Sequence, residues 1–314
     1  MQRYLTDFDD TASGWERALM AFLAEKERRS GSRRTVEGYS RMLQHFFGRL
    51  GKPPDQVNSQ EVFAWAHGRG LSGKEPSAVT IGARMACLSS FYRFLIRMEI
   101  VAANPCDALE RPRVQHSPPR GLSAEEIRRL LSAIPETPAG LRDRALVLTL
   151  TLTGRRRTEV LSLRRCDLIE GGGTWFYTYR GKGGKRGKRE LPAVAVDAIE
   201  RGLVAWGKSL GTMQPEESLW PTGGGERAEQ GLGVTSGTFY ANLRRYLKKA
   251  GLPPSGVHIL RHSAAKLRRD AGDSVEQVSA FLDHSSLQVT SVYLRRLEGQ
   301  EDGSWKRVAE AIGV

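Results

Sequence analysis

Cysteine is scarce in this chain, long apolar runs are absent, and acidic residues are in deficit. Only three cysteines occur in 314 residues, Cys87, Cys106 and Cys166, and none stands in a C-x-x-C pair. That excludes a disulfide framework and argues against a structural zinc site. No apolar run approaches the roughly 20 residues that span a bilayer. The longest, Ala145 to Thr153, is short and carries three threonines. The opening residues, MQRYLTDFDD, contain no apolar segment of the kind a secretory signal requires. A reduced, cytoplasmic protein without a membrane partner is expected. The acidic deficit is the positive clue. Lys and Arg number 48 against 35 Asp and Glu, a formal charge of +13. Such an excess points to a polyanion, either nucleic acid or an anionic membrane surface. No basic amphipathic helix stands out, which favours nucleic acid. At 39% hydrophobic and 26% charged residues, the chain is neither a disordered basic tail nor a membrane bundle.

Helical periodicity dominates the first third. Trp15, Leu19, Phe22 and Leu23 share a face over 12–29, and Tyr39, Leu43, Phe46 and Phe47 do so over 35–50. Gly51, Pro53 and Pro54 end the second helix. Asn58 or Ser59 can cap a third through Phe63, Trp65 and Ala66, and residues 77–100 form a long fourth. Nothing before residue 105 reads as strand. Residues 111–120, RPRVQHSPPR, combine three prolines with three arginines, which suits a basic, semi-extended linker. Beyond it, helices are expected at 123–134, 140–153, 156–163, 193–209, 235–250, 258–271 and 274–283, with a last amphipathic segment at 304–314. Residues 174–191 differ: TWFYTYR is rich in β-formers and GKGGKRG is a turn, so a β-hairpin with a basic tip is expected. The Gly-rich stretch 223–233 reads as loop. The fold class is therefore mainly α with a small β-sheet. A helical domain at 1–110 is joined through the linker 111–120 to an α+β domain at 121–314.

Several clusters carry chemistry. In Thr153-Gly154-Arg155-Arg156-Arg157-Thr158-Glu159 a glycine ends one helix and arginines open the next. On a helix, Arg156 falls at the edge of the buried face with Glu159 three residues on to hold it. A guanidinium fixed in that way offers a planar fork to a phosphate. At the hairpin tip, Lys182 stands among glycines that let backbone approach a ligand. In His258-Ile259-Leu260-Arg261-His262, residues 258, 261 and 262 face one way on a helix. Such a group can grip a phosphoryl oxygen. The alternative for paired histidines at i, i+4 is a metal site, but no acidic residue at the expected spacing accompanies them. Leu282-Asp283-His284 follows, with Tyr293 nine residues beyond the histidine. A phenol titrates near pH ~10, so a nucleophilic Tyr293 needs neighbouring cations to help it.

The order of these elements carries a resemblance. The patterns T-G-x-R-x-x-E-x-x-x-L, the GKG hairpin, H-x-L-R-H-S and L-x-H-(8)-Y fall in register, and residues 121–300 resemble the catalytic domain of tyrosine recombinases, the phage-integrase family. Residues 12–105 resemble, less specifically, that family's helical SAM-like core-binding domain. The two-domain layout looks most like Xer-type members. The resemblance implies that Arg156 and Arg261 bind a scissile phosphate and that His258 assists proton transfer. It further implies that His284 hydrogen-bonds the phosphate, Lys182 protonates the leaving 5′-oxygen and Tyr293 attacks. Glu159 and His262 would stand behind them. No cofactor and no metal are implied. The implied partner is duplex DNA with inverted-repeat half-sites, bound by a self-associated tetramer, with a second recombinase as a further candidate. Strand exchange would run through a Holliday junction, in the nucleoid. Residues 304–314 would form a helix that docks on a neighbouring protomer, and residues 77–100 would read base edges.

Two departures from the family pattern matter. Asp283 stands where the family usually has Gly; Asp tolerates a left-handed turn at some cost, and its carboxylate is expected to raise a histidine's pKa. The run Arg155–Arg157 offers three candidate arginines, and register with Gly154 and Glu159 selects Arg156. Two rivals remain at this level. A type IB topoisomerase shares the tyrosine chemistry but relaxes DNA without site dependence, and a non-catalytic DNA-binding protein would form no covalent adduct.

Overall fold

The computed structural model describes residues 14–70, 73–113, 120–180 and 186–283. The chain divides into two compact units, Met1–His116 and Ser117–Val314. The boundary between them falls inside the proline- and arginine-rich stretch 111–120.

The first unit holds four helices, α1 (Gly14–Ser30), α2 (Arg33–Leu50), α3 (Ser59–His67) and α4 (Ala78–Arg97). Each of the last three starts where a side chain can accept an orphan backbone N–H. Ser32 accepts from Thr35 and Ser77 from Thr80, while Asn58 and Glu61 form a reciprocal capping box. Gly51 closes α2 with φ 65°, a conformation glycine takes without steric cost. The core is a ring cluster. Phe22 meets Phe91 edge-on at 5.2 Å, Phe47 meets Phe91 at 5.7 Å, and Phe46 meets Trp65 at 5.1 Å. Edge-to-face pairs of this kind add to the area they bury. Lys26 lays its ammonium over the Phe22 and Tyr39 rings and donates to Ser90.

The second unit contains eight helices among the described residues: α5 (Ala124–Ala133), α6 (Pro138–Thr153), α7 (Arg157–Leu161), α8 (Ala193–Val204), α9 (Gly225–Glu229), α10 (Ser236–Lys249), α11 (His258–Asp270) and α12 (Val275–Leu282). A three-stranded antiparallel sheet in the order β1 (Leu168–Gly171), β2 (Thr174–Arg180) and β3 (Arg186–Glu190) accompanies them. The expected class, mainly α with a small sheet, is observed. The expected hairpin is the β2–β3 pair, in a register that sets Arg180 against Arg186.

Three local expectations need correction. The hairpin gains a third strand, β1, paired through Leu168 and Tyr177. The Gly-rich stretch 223–233 contains the short helix α9. The helix expected at 156–163 shortens to α7, because Arg156 lies extended (φ −68°, ψ 146°) in the cap position.

Helix α6 is the axis of the unit. It packs on α8 and α11 and buries residues on every side, so it lacks the one-sided pattern of a surface helix. Two of its charges, Arg142 and Asp143, are internal as well. Arg142 donates to Asp143 at 2.8 and 2.9 Å and to the Pro221 carbonyl. The other oxygen of Asp143 accepts from Asn242 at 2.7 Å and Tyr246 at 2.9 Å. A buried ion pair is tolerable when its remaining lone pairs are satisfied in this way. Helix α6 ends at Gly154, whose φ is 60°. A Cβ there would also lie 2.5 Å from the Phe281 ring. Only glycine meets both demands, and this brings the turn after α6 directly against α12.

Candidate active site

Three chain segments converge around that turn: residues 154–157, the start of α11, and the end of α12. Arg261, on the first turns of α11, ties them together. It is 5% exposed, and its guanidinium donates to the Gly154 carbonyl at 2.5 Å and the Leu282 carbonyl at 2.7 Å. α11 is itself anchored, because the Ser263 hydroxyl accepts from the Leu122 amide and donates to the Ile259 carbonyl.

Arg156 is held from the other side. Its backbone N–H donates to one oxygen of Glu159 at 2.9 Å and its guanidinium to the other at 2.9 Å. Glu159 is 4% exposed while the Arg156 side chain is about one third exposed, so a buried acid orients a reachable cation. The buried Trp220 fixes the same short helix by donating its indole N–H to the Val160 carbonyl at 2.6 Å.

His258 reaches solvent at the start of α11, and its ring meets that of the half-buried His262 edge-on at 4.9 Å. Its pKa is lowered, first by desolvation and then by the charges of Arg261, Arg156 and Arg157. That dependence places His258 within the field of all three arginines. For His258 the surroundings therefore favour the neutral imidazole; His284, the histidine next to Asp283, lies outside the described residues. Among the described residues no group of three His, Cys, Asp or Glu side chains converges on one point.

The run Arg155–Arg157 separates by environment. Arg155 is 1% exposed. Its guanidinium donates to the Tyr179 hydroxyl at 2.8 Å, to the Asp283 carboxylate and to the Phe281 carbonyl. Arg156 and Arg157 are both partly exposed. Sequence reasoning missed the commitment of Arg155, and with it the parts played by Tyr179 and Arg189. The available signal was Asp283, an acid standing where a glycine was expected.

Lys182, His284 and Tyr293 lie outside the described residues, as does the segment 304–314. The strands β2 and β3 that flank Lys182 are described. Beside the ends of these strands nearest the tip opens a cavity of about 740 Å³ whose lining includes Arg164, Arg180, Arg186 and Lys188. No helix among the described residues is long and apolar enough to cross a membrane.

Comparison with known proteins identifies the family. Residues 120–299 match the phage integrase family, and residues 19–99 match the phage integrase N-terminal SAM-like domain. The chain is 31% identical over 221 residues to the tyrosine recombinase XerC 2 of Ralstonia nicotianae, covering 68% of this chain and 61% of that protein. It is 28% identical over 269 residues to the tyrosine recombinase XerD of Listeria innocua, covering 83% of this chain and 88% of that one. Its fold is similar to that of a lambda integrase tetramer bound to a Holliday junction, with TM-score 0.66 and 18% identity, covering 94% of this chain and 80% of that one. With a family match over more than half of its length, the chain belongs to the phage integrase family and is a tyrosine recombinase.

Proposed function

We propose that this chain is a site-specific DNA recombinase that breaks and rejoins strands through a 3′-phosphotyrosyl intermediate. The observation that carries the reading is the gathering of Arg156, Arg261 and His258 where the α6–α7 turn meets α11 and α12. Two oriented arginines beside an imidazole form a receptor for a phosphodiester.

In the reaction, the Tyr293 oxygen attacks phosphorus and the bond from phosphorus to the 5′-oxygen breaks. The tyrosine proton leaves with help from His258, and Lys182 delivers a proton to the departing 5′-oxygen. The lowered pKa of His258 supports this role, because a neutral imidazole can accept a proton near neutral pH. The pentacoordinate transition state carries extra negative charge, and Arg156, Arg261 and His284 stabilise it with preset donors. Glu159 keeps Arg156 in place, and His262 stands behind His258. The tyrosyl ester retains the energy of the phosphodiester, so attack by a 5′-hydroxyl reseals the strand without a nucleotide cofactor.

Strand exchange between two sites needs four such tyrosines, hence a tetramer working through a Holliday junction. The lambda integrase tetramer of similar fold is bound to such a junction. The four-helix N-terminal unit and the basic stretch 111–120 supply much of the grip on the duplex, with α4 as a reader of base edges. Inverted-repeat half-sites follow from pairing identical protomers, a second recombinase can take half of the positions, and 304–314 serves protomer docking. A DNA substrate places the enzyme with the nucleoid.

Selection from a random DNA pool defines the site, and a nicked suicide duplex carrying it then traps the intermediate. A covalent protein–DNA adduct is expected with the wild type and none with Tyr293→Phe. Bound DNA without adduct would favour a non-catalytic binding protein, and relaxation of plasmids lacking the site would favour a topoisomerase.

A further inference from the structure

The C-terminal end of α12 is capped by three arginines from three different elements. The Ala280 carbonyl accepts from Arg189 of β3 at 3.3 Å, the Phe281 carbonyl from Arg155, and the Leu282 carbonyl from Arg261 of α11 at 2.7 Å. These are the last carbonyls of the helix, at the negative end of its dipole, where cations are favoured; the Ala280 carbonyl also accepts the Asp283 backbone N–H. The next residue, Asp283, takes the left-handed conformation at φ 50° and ψ 46°. Among the described residues it shares positive φ with only one other non-glycine, Glu99.

The Asp283 side chain holds that conformation from several sides. One carboxylate oxygen accepts from Arg155 and from the Tyr179 hydroxyl, and the other accepts from Arg189 at 2.8 Å. Burial alone would raise its pKa, but the Tyr179 hydrogen bond and the Arg155 and Arg189 charges outweigh this and leave it lowered. Arg155 in turn is almost wholly buried, with its guanidinium carbon 4.9 Å from the centre of the Tyr179 ring. A buried guanidinium needs a counter-charge, and Asp283 supplies it across 128 residues of sequence. Tyr179 and Arg189 sit on β2 and β3, the strands that lead to the tip bearing Lys182.

We propose that Asp283 and Arg155 are positioning residues for strand cleavage: their ion pair, joined by Tyr179 and Arg189, fixes the direction in which the chain leaves α12 one residue before His284 and couples that turn to the Lys182 hairpin. The pair thus replaces glycine's conformational freedom with a charged tether. The inference rests on the functional reading above in taking His284 and Lys182 as groups acting at the phosphate.

The test uses the full chain and the nicked suicide duplex with its selected site, measured at saturating DNA. Four proteins join the wild type: Asp283→Gly, Arg155→Leu, the double variant, and Tyr293→Phe. Misplacement by about an ångström costs on the order of 10²-fold in rate, so each single pair variant is expected to slow adduct formation by about that factor. The Kd for the duplex should move less than about threefold, since the tether makes no uniform binding contact. The double variant removes both the stranded charge and its partner, and it is expected to recover to within about tenfold of wild type, a non-additivity that marks a direct coupling.

Single variants that cleave at the wild-type rate would overturn the inference. So would losses that multiply in the double variant, or slowed cleavage that merely tracks a fall in Tm or in DNA affinity. Wild-type adduct lost in Tyr293→Phe, together with unimpaired pair variants, sinks this inference alone. Absence of adduct from the wild type sinks the functional reading and this inference with it.

Discussion

The two units bury different things. Among the described residues, the buried polar side chains of the N-terminal unit are Ser89 and Asn104, and its centre is a cluster of aromatic rings that meet edge-on. The second unit buries Arg142, Asp143, Arg155, Glu159 and Arg261. A ring cluster needs only shape and exclusion of water to be stable. Buried charge is costly and must be paired at several points. It is concentrated in the unit that carries the recombinase-like motifs, where it holds guanidiniums in fixed directions around one turn. Not all of the buried charge serves the reaction directly. Arg142 and Asp143 hold α6 to α10 and to the Pro221 carbonyl. Arg155 holds the end of α12. Arg156 and Arg261 are the pair proposed above to bind a phosphate.

The largest expected effect is on the second unit. Asp143→Ala leaves Arg142 buried without its carboxylate, and breaking such a pair is expected to cost about 3–5 kcal/mol. Urea unfolding of the intact chain measures this; a loss below about 1 kcal/mol would show that the buried pair is dispensable and blunt the contrast between the units.

Next is the pH dependence of cleavage. The folded pKa of His258 lies below its ordinary value near ~6.5, so the imidazole is neutral at pH 7 and gains its proton only as pH falls through the lowered value. Adduct formation should therefore hold its rate down past ~6.5 and decline at lower pH, and His258→Asn should remove that limb. Stability follows the same sign: between the two pKa values the unfolded chain binds more protons, so the His258 contribution rises with pH there. A decline centred above ~6.5 would contradict the electrostatic account of the site.

The smallest effect belongs to the N-terminal unit. Asn58→Ala removes the cap of α3 and is expected to cost about 1 kcal/mol in unfolding, without altering cleavage at saturating DNA. A slowed cleavage step would mean that the two units are coupled in the chemistry as well as in binding.

Much of this architecture was legible before any coordinates. Long amphipathic helices such as α2 and α4 announce themselves through periodicity, and the start of α3 through Asn58. The hairpin was visible in TWFYTYR and its glycine-rich turn. What escaped had physical reasons. β1 has four residues and buries only Leu168, too little pattern to register. α9 begins in glycines, which argue against helix on propensity. The burial of Arg155 was not legible from its immediate neighbours, because adjacent identical residues look alike in sequence. Burial of the first depends on Tyr179 and Asp283, which lie 24 and 128 residues away. Charged residues are almost never fully buried unless paired, and no local spacing rule reaches that far. The motif register selects Arg156, and the burial of Arg155 against Tyr179 and Asp283 is consistent with that choice.

Single-turnover cleavage of the suicide duplex at saturating DNA separates the roles of the arginines in the run 155–157. Losing one preorganised charge donor costs on the order of 10²–10³-fold, so Arg156→Ala should slow adduct formation by that factor while Arg157→Ala stays within a few-fold of wild type. Loss of cleavage in Arg157→Ala with activity retained in Arg156→Ala would contradict the account.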